Sequence, residues 1–355
     1  MFKWIAGLFI LAVLLFTACN SQSSNAKHDF NTGEATVEIT DQPVFSAETL
    51  PSVPDKVGYH AASVCELDNG KLLAAWYSYG DHGDELAGSA IYTSMKDAHG
   101  WSVASVFRDS PQGDGNPVLY AEGNKVWLFQ AVVPGGWSTA HIEFQWSEGQ
   151  DNSWSAPAVV SSALGSNVRF PPIRLKNGEL LLPAYDDLLS RSLFFASSDG
   201  VNWQERAALS TGLSGTNIQP SIAQLDDGDI VAVMRDTTAH NILVSFSSDN
   251  GATWTKPIAS PFPNPGAPSA IVKLKSGRLL LVYNNMSLGA RDKLSAALSP
   301  DDGVTWTAPK VIAEVDSSYP TAIQGANGMI HVVYSSGREA IIHAEFNEAW
   351  VASKD

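Results

Sequence analysis

The chain is short of cysteine, of positive charge and of helical periodicity, and each shortage excludes something. Only Cys19 and Cys65 occur in 355 residues. Cys19 ends an N-terminal apolar run, so the body carries Cys65 alone and no intramolecular disulfide can brace it; Cys65 is expected in the core. Lysine and arginine total 22 against 37 acidic residues, a net charge of −15, which excludes nucleic acid as a partner because phosphate binding needs a basic footprint. The eight histidines are scattered without ligand spacing, so no metal or other cofactor is expected. No stretch from 31 to 355 repeats its apolar residues at the helical period.

What the chain does have is a repeat. Ser247-Ser-Asp249-Asn-Gly251-Ala-Thr-Trp254 returns as Ser299-Pro-Asp301-Asp-Gly303-Val-Thr-Trp306. A shorter copy runs from Ser197 through Asp199 and Gly200 to Trp203. Ser147 to Trp154 and Ser94 to Trp101 keep the spacing without the aspartate. Tryptophans thus recur at 101, 154, 203, 254 and 306, and a period of about 50 residues means stacked copies of one supersecondary unit. Six tight-turn triplets lie between apolar runs, at Asp68-Asn-Gly70, Glu122-Gly-Asn124, Lys176-Asn-Gly178, Asp226-Asp-Gly228, Lys275-Ser-Gly277 and Ala326-Asn-Gly328. Such turns supply the positive φ that hairpins need. Ser221–Leu225 and Ile230–Met234 flank one turn, and Asn241–Phe246 then leads into a box. Four-stranded units in this number predict an all-β, six-bladed β-propeller over 35–350, with 28 glycines and 11 tryptophans suiting a turn-rich chain. The spare strand Ala35-Thr-Val-Glu-Ile39 is expected to complete the last blade, which runs short at the C-terminus.

The N-terminus reads as an export signal, with Lys3 before an apolar run over 4–16 that is too short to span a bilayer. Phe16-Thr-Ala-Cys19 resembles a bacterial lipobox. That resemblance implies a signal peptide over 1–19, lipidation of Cys19, a polar tether over 20–34, membrane attachment through the lipid only, and, with Asn20 rather than aspartate next, an outer-membrane or periplasmic location. The alternative is an ordinary signal peptide with a chance cysteine.

The Ser-x-Asp-x-Gly-x-x-Trp boxes resemble the Asp boxes of sialidases and related BNR-repeat proteins, over about residues 55 to 350. In that family they sit on the outer hairpins, away from the site. Physically, the aspartate accepts turn N–H groups and the tryptophan packs between blades, so the boxes are expected to be structural.

The site is expected where the starts of first strands and the ends of second strands converge. The starts carry His60, Asn116, Arg169, Gln219, Ser269 and Tyr319. The ends carry Asp81 to Glu85, Trp137, Asp186 and Asp187, Arg235, Asn285 with Arg291 beyond, and Arg338. Arginines gathered in an acidic protein point to an anionic ligand, whose carboxylate matches the guanidinium fork. Arg235, Arg291, Arg338, Arg169 and Asn116 are the candidate substrate-binding residues; pairing with Asp186, Asp187 or Asp236 is the alternative for any one arginine.

The resemblance to sialidases implies roles. Tyr319 matches the family's tyrosine nucleophile, Arg235 and Arg291 the middle and last of its three carboxylate-binding arginines, and the acid would come from Asp81, Asp84 or Glu85. Two positions depart. His60 stands where the family has its first arginine. Gln219, in Gln219-Pro220-Ser221, stands where it has the glutamate that assists the tyrosine. Glutamine cannot take a proton. Divergent sialidase-like BNR proteins share the Gln-Pro-Ser sequence and an arginine followed by a histidine-bearing strand, as Arg338 and His343 are here. Three functions stay open: an exo-acting glycoside hydrolase on an acidic sugar, a uronate-directed polysaccharide lyase with His60 or Tyr319 as base, and a noncatalytic glycan-binding propeller.

Overall fold

The structure, a computed structural model, describes residues 28–31, 33–81, 86, 88–149, 153–213 and 215–354. The export signal, Cys19, most of the tether, and Asp84 and Glu85 lie outside the described residues.

Six antiparallel sheets follow one another round a ring. Blade 1 comprises Gly58–Glu66, Leu72–Tyr79, Ala90–Asp97 and Ser105–Arg108. Blade 2 comprises Asp114–Glu122, Lys125–Val132, His141–Glu148 and Ala158–Ser161. In blade 3 the inner strand is broken into Ser166–Val168 and Ile173–Arg174, followed by Leu180–Asp186, Arg191–Ser197 and Gln204–Leu209. Blade 4 runs Asn217–Gln224, Ile230–Asp236, Asn241–Ser247 and Ile258–Pro263; blade 5 runs Ala270–Lys273, Leu279–Asn284, Leu294–Ser299 and Lys310–Ala313. Blade 6 takes Ser317–Gln324, Ile330–Ser336 and Ala340–Phe346 from the C-terminal end and Phe45–Thr49 from the N-terminal end.

The closing strand is therefore not Ala35–Ile39. Phe45 to Thr49 pair antiparallel with Phe346 to Ile342, and Phe45 stacks on Trp350 at 4.4 Å. The earlier segment pairs elsewhere: Gly33–Glu34 lie parallel to Thr305–Trp306, and the Ala35 amide donates to the Trp306 carbonyl at 2.8 Å. Its alternation suits a chain resting on blades 5 and 6, where Ile39 packs, without a ladder beyond Glu34. A short helix, Glu348–Ala352, capped by the Asn347 side chain, is too brief to leave a helical period in the sequence.

The apolar core is divided among the seams. One cluster joins blades 4 and 5 through Val233, Phe246, Leu281 and Trp306; another joins blades 6 and 1 through Val333, Ile341, Trp76 and Tyr92. Each blade buries its faces against two neighbours, which lets one chain exceed the usual single-core size. Cys65 is buried between blades 1 and 2, where burial pushes its thiol well above the ordinary range.

The boxes are turn clamps. Asp249 Oδ1 accepts the Thr253 amide at 2.8 Å and Oδ2 the Thr253 hydroxyl at 2.6 Å; Asp301 holds Thr305 the same way at 2.8 and 2.7 Å. Trp254 and Trp306 donate to the carbonyls of Gly251 and Gly303. The φ of +83° at Gly251 favours glycine, and a Cβ there would also lie 2.8 Å from a Leu181 methyl of blade 3 and push it aside. In the shortened box the Gly200 carbonyl accepts instead from Trp127 of blade 2, at 2.8 Å. Asp249→Ala and Asp301→Ala are each expected to lower stability by about 1–2 kcal/mol, the scale of a lost charge-assisted hydrogen bond, with turnover unchanged. Thermal melts beside steady-state rates check this; a rate change at unaltered stability would contradict it.

Candidate functional site at the ring axis

The inner strands of four blades bulge at one register, between His60 and Ser63, Gly115 and Val118, Ile218 and Ser221, and Ser318 and Thr321. The bulged residues have positive φ: Ala61 at 49°, Asn116 at 47°, Gln219 at 53° and Tyr319 at 59°. Three precede proline, giving Asn116-Pro117, Gln219-Pro220 and Tyr319-Pro320. Left-handed backbone at such residues costs on the order of 1–3 kcal/mol and persists where the surroundings impose it. The device gathers Asn116, Gln219 and Tyr319 into one buried network. His60 is one residue out of step, since Ala61 holds the equivalent bulge position; it reaches the same centre from blade 1.

Tyr319, 8% exposed, is the hub. Its hydroxyl accepts from Arg235 Nη1 at 3.1 Å, and the same nitrogen donates to Gln219 Oε1 at 3.2 Å. The Arg291 guanidinium lies 5.3 Å from the Tyr319 ring centre while Nη2 donates to the Gly266 carbonyl. Tyr185 joins the far side, its hydroxyl taking Asn116 Nδ2 at 3.1 Å and Gln219 Nε2 at 3.5 Å. Gln219 thus keeps Arg235 in place without being a base. Among the described residues, neither Arg235 nor Arg291 forms an ion pair with a carboxylate. Asp186 is engaged by Arg191 Nε at 3.1 Å, and Asp236 by Thr238.

His60, 1% exposed, lies with its ring centre 4.1 Å from that of Tyr319. Nδ1 meets the Ser335 hydroxyl at 2.9 Å, and Nε2 is buried with no hydrogen-bond partner. Burial first, then Arg338, Arg169, Arg291 and Arg235, hold the imidazole well below its usual pKa, so it is neutral. Arg338, half-buried with φ of 57°, accepts the Tyr59 amide on its carbonyl at 2.8 Å. Asp187, beside Tyr185 and Arg235, has its carboxyl raised by burial against the opposing effect of the Ser138 hydrogen bond and Arg235. Asp81 lies exposed just past the second strand of blade 1.

Arg169 is the correction. It does not face a ligand: it is 1% exposed, with Nη1 donating to the Ala62 carbonyl at 3.3 Å and to Thr321 Oγ1 at 2.9 Å, and Nη2 to the Tyr319 carbonyl. Burial lowers its pKa to about 10. It bolts blades 3, 1 and 6 together beneath Tyr319. Asn116, placed with the ligands in the sequence, is buried and reaches Tyr185. On the other side of this bolt the distal halves of the inner strands enclose a channel of about 630 Å³, lined by Phe170, Ile222, Ile271 and Ala322 and away from the tyrosine. Tyr185 and Ser335 carry no signal in the sequence; each is the penultimate residue of a second strand, and only the convergence of blades gives them a role. His343 lies away from the axis, in the seam between blades 6 and 1, where burial lowers it to about 4.

A tyrosine flanked by arginines at the axis of a six-bladed ring with Asp boxes on its hairpins defines a sialidase-like propeller. The model of the BNR repeat-like domain matches residues 70–332, and the chain belongs to that family. It is 22% identical over 233 residues to a sialidase of Bacteroides fragilis strain YCH46, covering 55% of this chain and 41% of that protein, and so spans less than half of that relative's length. It is 22% identical over 354 residues to an exo-alpha-sialidase of Arthroderma benhamiae, covering 84% of this chain and 81% of that one. The solved Hadza microbial sialidase Hz136 superposes with a TM-score of 0.73 at 18% identity, covering 84% and 67%.

Proposed function

We propose that this protein is an exo-acting glycoside hydrolase that takes a carboxylate-bearing sugar at the axial tyrosine. The observation that carries this reading is the placement of Arg235 and Arg291 against Tyr319 without carboxylate partners of their own among the described residues. Their remaining donors suit a substrate carboxylate, held beside a neutral phenol that can approach an anionic sugar without repulsion. Tyr319 Oη attacks the anomeric carbon as the glycosidic bond breaks. With Gln219 unable to accept a proton, the neutral imidazole of His60, whose ring packs on that of Tyr319, takes it at Nε2 in the tautomer that carries its own proton on Nδ1 against Ser335. An acid in the 81–85 loop, Asp84 or Glu85 by position, protonates the leaving oxygen, and water releases the sugar.

The same His60 favours a second reading, β-elimination on a uronate: an arginine neutralises the carboxylate and His60 removes the neighbouring proton. Sialosides and uronate polysaccharides offered to the purified protein separate the two. Reducing ends without ultraviolet absorbance support hydrolysis, absorbance of unsaturated uronate supports elimination, and glycan binding with neither defeats both. Arg235→Gln is expected to raise KM for the acidic sugar roughly 10- to 150-fold, the worth of a charged hydrogen bond of about 1.5–3 kcal/mol, and to leave a carboxamide analogue nearly unaffected. Equal losses on both sugars would remove the carboxylate from the argument. The reading includes export and lipidation at Cys19, supported by the N-terminal sequence.

A further inference from the structure

The repeat tryptophans rest on the preceding blade, and one seam breaks the pattern. Trp203 meets Phe144 edge-on with ring centres 6.4 Å apart, and Trp254 stacks on Phe194 at 4.2 Å. Both phenylalanines stand in the third strand of their blade. Where blade 6 meets blade 1, Trp101 instead meets His343, also in a third strand, at 5.4 Å and 85°. At this position the closing seam carries a histidine where those two carry phenylalanine. His331, on the neighbouring strand, brings Nδ1 to 3.1 Å from His343 Nε2. Glu345 lies directly opposite His331 in the ladder. Ligand atoms of these three residues lie within 4.8 Å of one another.

We propose that His331, His343 and Glu345 form a binding site for a divalent transition metal of the zinc class, which cross-links the two C-terminal strands of the last blade beside its seam with blade 1. Two nitrogens 3.1 Å apart subtend about 100° at an ion held by bonds of about 2.05 Å, close to a tetrahedral arrangement. Glu48, opposite His343 on the N-terminal closing strand, accepts from the other ring nitrogen, Nδ1, at 3.3 Å. A carboxylate on the far nitrogen fixes a metal-binding imidazole in the tautomer that presents its lone pair, here at Nε2. Metal entry moves the His331 proton from Nδ1 to the ring's other nitrogen.

A cavity of about 410 Å³, lined by His331, Glu345, Glu66 and His99, opens onto the cluster and supplies water for a fourth position. Lys96 lies 3.8 Å from Glu345 and is bonded to Glu48, so the ion and this ammonium compete for Glu345. His331 stands at the opposite end of its strand from Ser335, which serves His60. The site is therefore structural, and turnover does not depend on it. The set escapes a spacing search because its ligands come from two paired strands.

The test is titration of the purified, chelator-treated protein with zinc chloride, reading bound metal per chain and the melting temperature, with cobalt(II) as a spectroscopic probe. One equivalent of zinc, a rise in melting temperature and a visible four-coordinate cobalt spectrum are expected. All three should vanish in His343→Phe, which supplies the residue found at this position in blades 2 and 3, with glycosidase rates retained. Glu345→Gln, on a half-buried residue, should weaken zinc at least about tenfold and serves if His343→Phe does not fold. No zinc response in the unaltered protein, or an undiminished one in both variants, overturns the proposal.

Discussion

Tyr319→Phe is expected to lower turnover of the acidic glycoside by on the order of 10³-fold or more while leaving ligand binding and melting temperature nearly unchanged. Phenylalanine adopts the same strained backbone as readily as tyrosine does, and the packing against His60, Arg291 and Arg169 uses the ring. What is lost is Oη and its hydrogen bond from Arg235, about 1 kcal/mol of ordinary binding. The large effect is thus confined to chemistry. If His60 instead acts directly on the sugar in an elimination, Tyr319→Phe retains most of its rate and His60→Gln is the silent variant. The pair of rates, measured at saturating substrate, decides which of the two groups bonds to the substrate.

The pH profile follows from the same geometry. His60 is held below its ordinary pKa by burial and by four guanidiniums, so in the free protein it remains neutral well below pH 6.5. A bound carboxylate offsets those cations and returns the pKa upward. The acid limb of kcat, which reports the complex, should therefore lie at higher pH than that of kcat/KM, which reports the free protein. Coincident limbs, or a kcat limb on the acid side, would mean that the substrate brings no negative charge to the arginines.

The sequence made the ring legible because its evidence is local. An aspartate that closes a turn, a tryptophan seven residues from a serine and a glycine at positive φ each act within one hairpin. Closure is not local. Ala35–Ile39 alternates as well as Phe45–Thr49 does, and only the packing of Phe45 on Phe346 and Trp350 distinguishes them. Tyr319, Arg235 and Arg291 were placed together by counting strands, and they do meet. Arg169 occupies the same strand position but lies beneath the mouth, because position along a strand does not say which way a long side chain points. The pre-proline positions 116, 219 and 319 were a visible signal for the bulge, and would have shown that Ala61, not His60, is in register with them.

Arg169→Ala is expected to cost about 3–5 kcal/mol of stability, several degrees in melting temperature, and to abolish activity through Tyr319 although the residue touches no substrate. Two terms compete. A buried guanidinium without a carboxylate partner is itself costly, as its pKa near 10 indicates, and its removal relieves that cost. Against this, alanine leaves a void and deprives the buried Tyr319 carbonyl and Thr321 of their donor. Arg169→Met fills the void and removes the charge but restores no donor. It should recover at least half of the lost stability and little of the turnover, because Tyr319 at a φ of 59° depends on that bond to stay aimed. Denaturant melts and single-turnover rates on the two variants separate the terms. Methionine restoring the rate along with the stability would show that Arg169 only fills space, and that the bulge holds Tyr319 by itself.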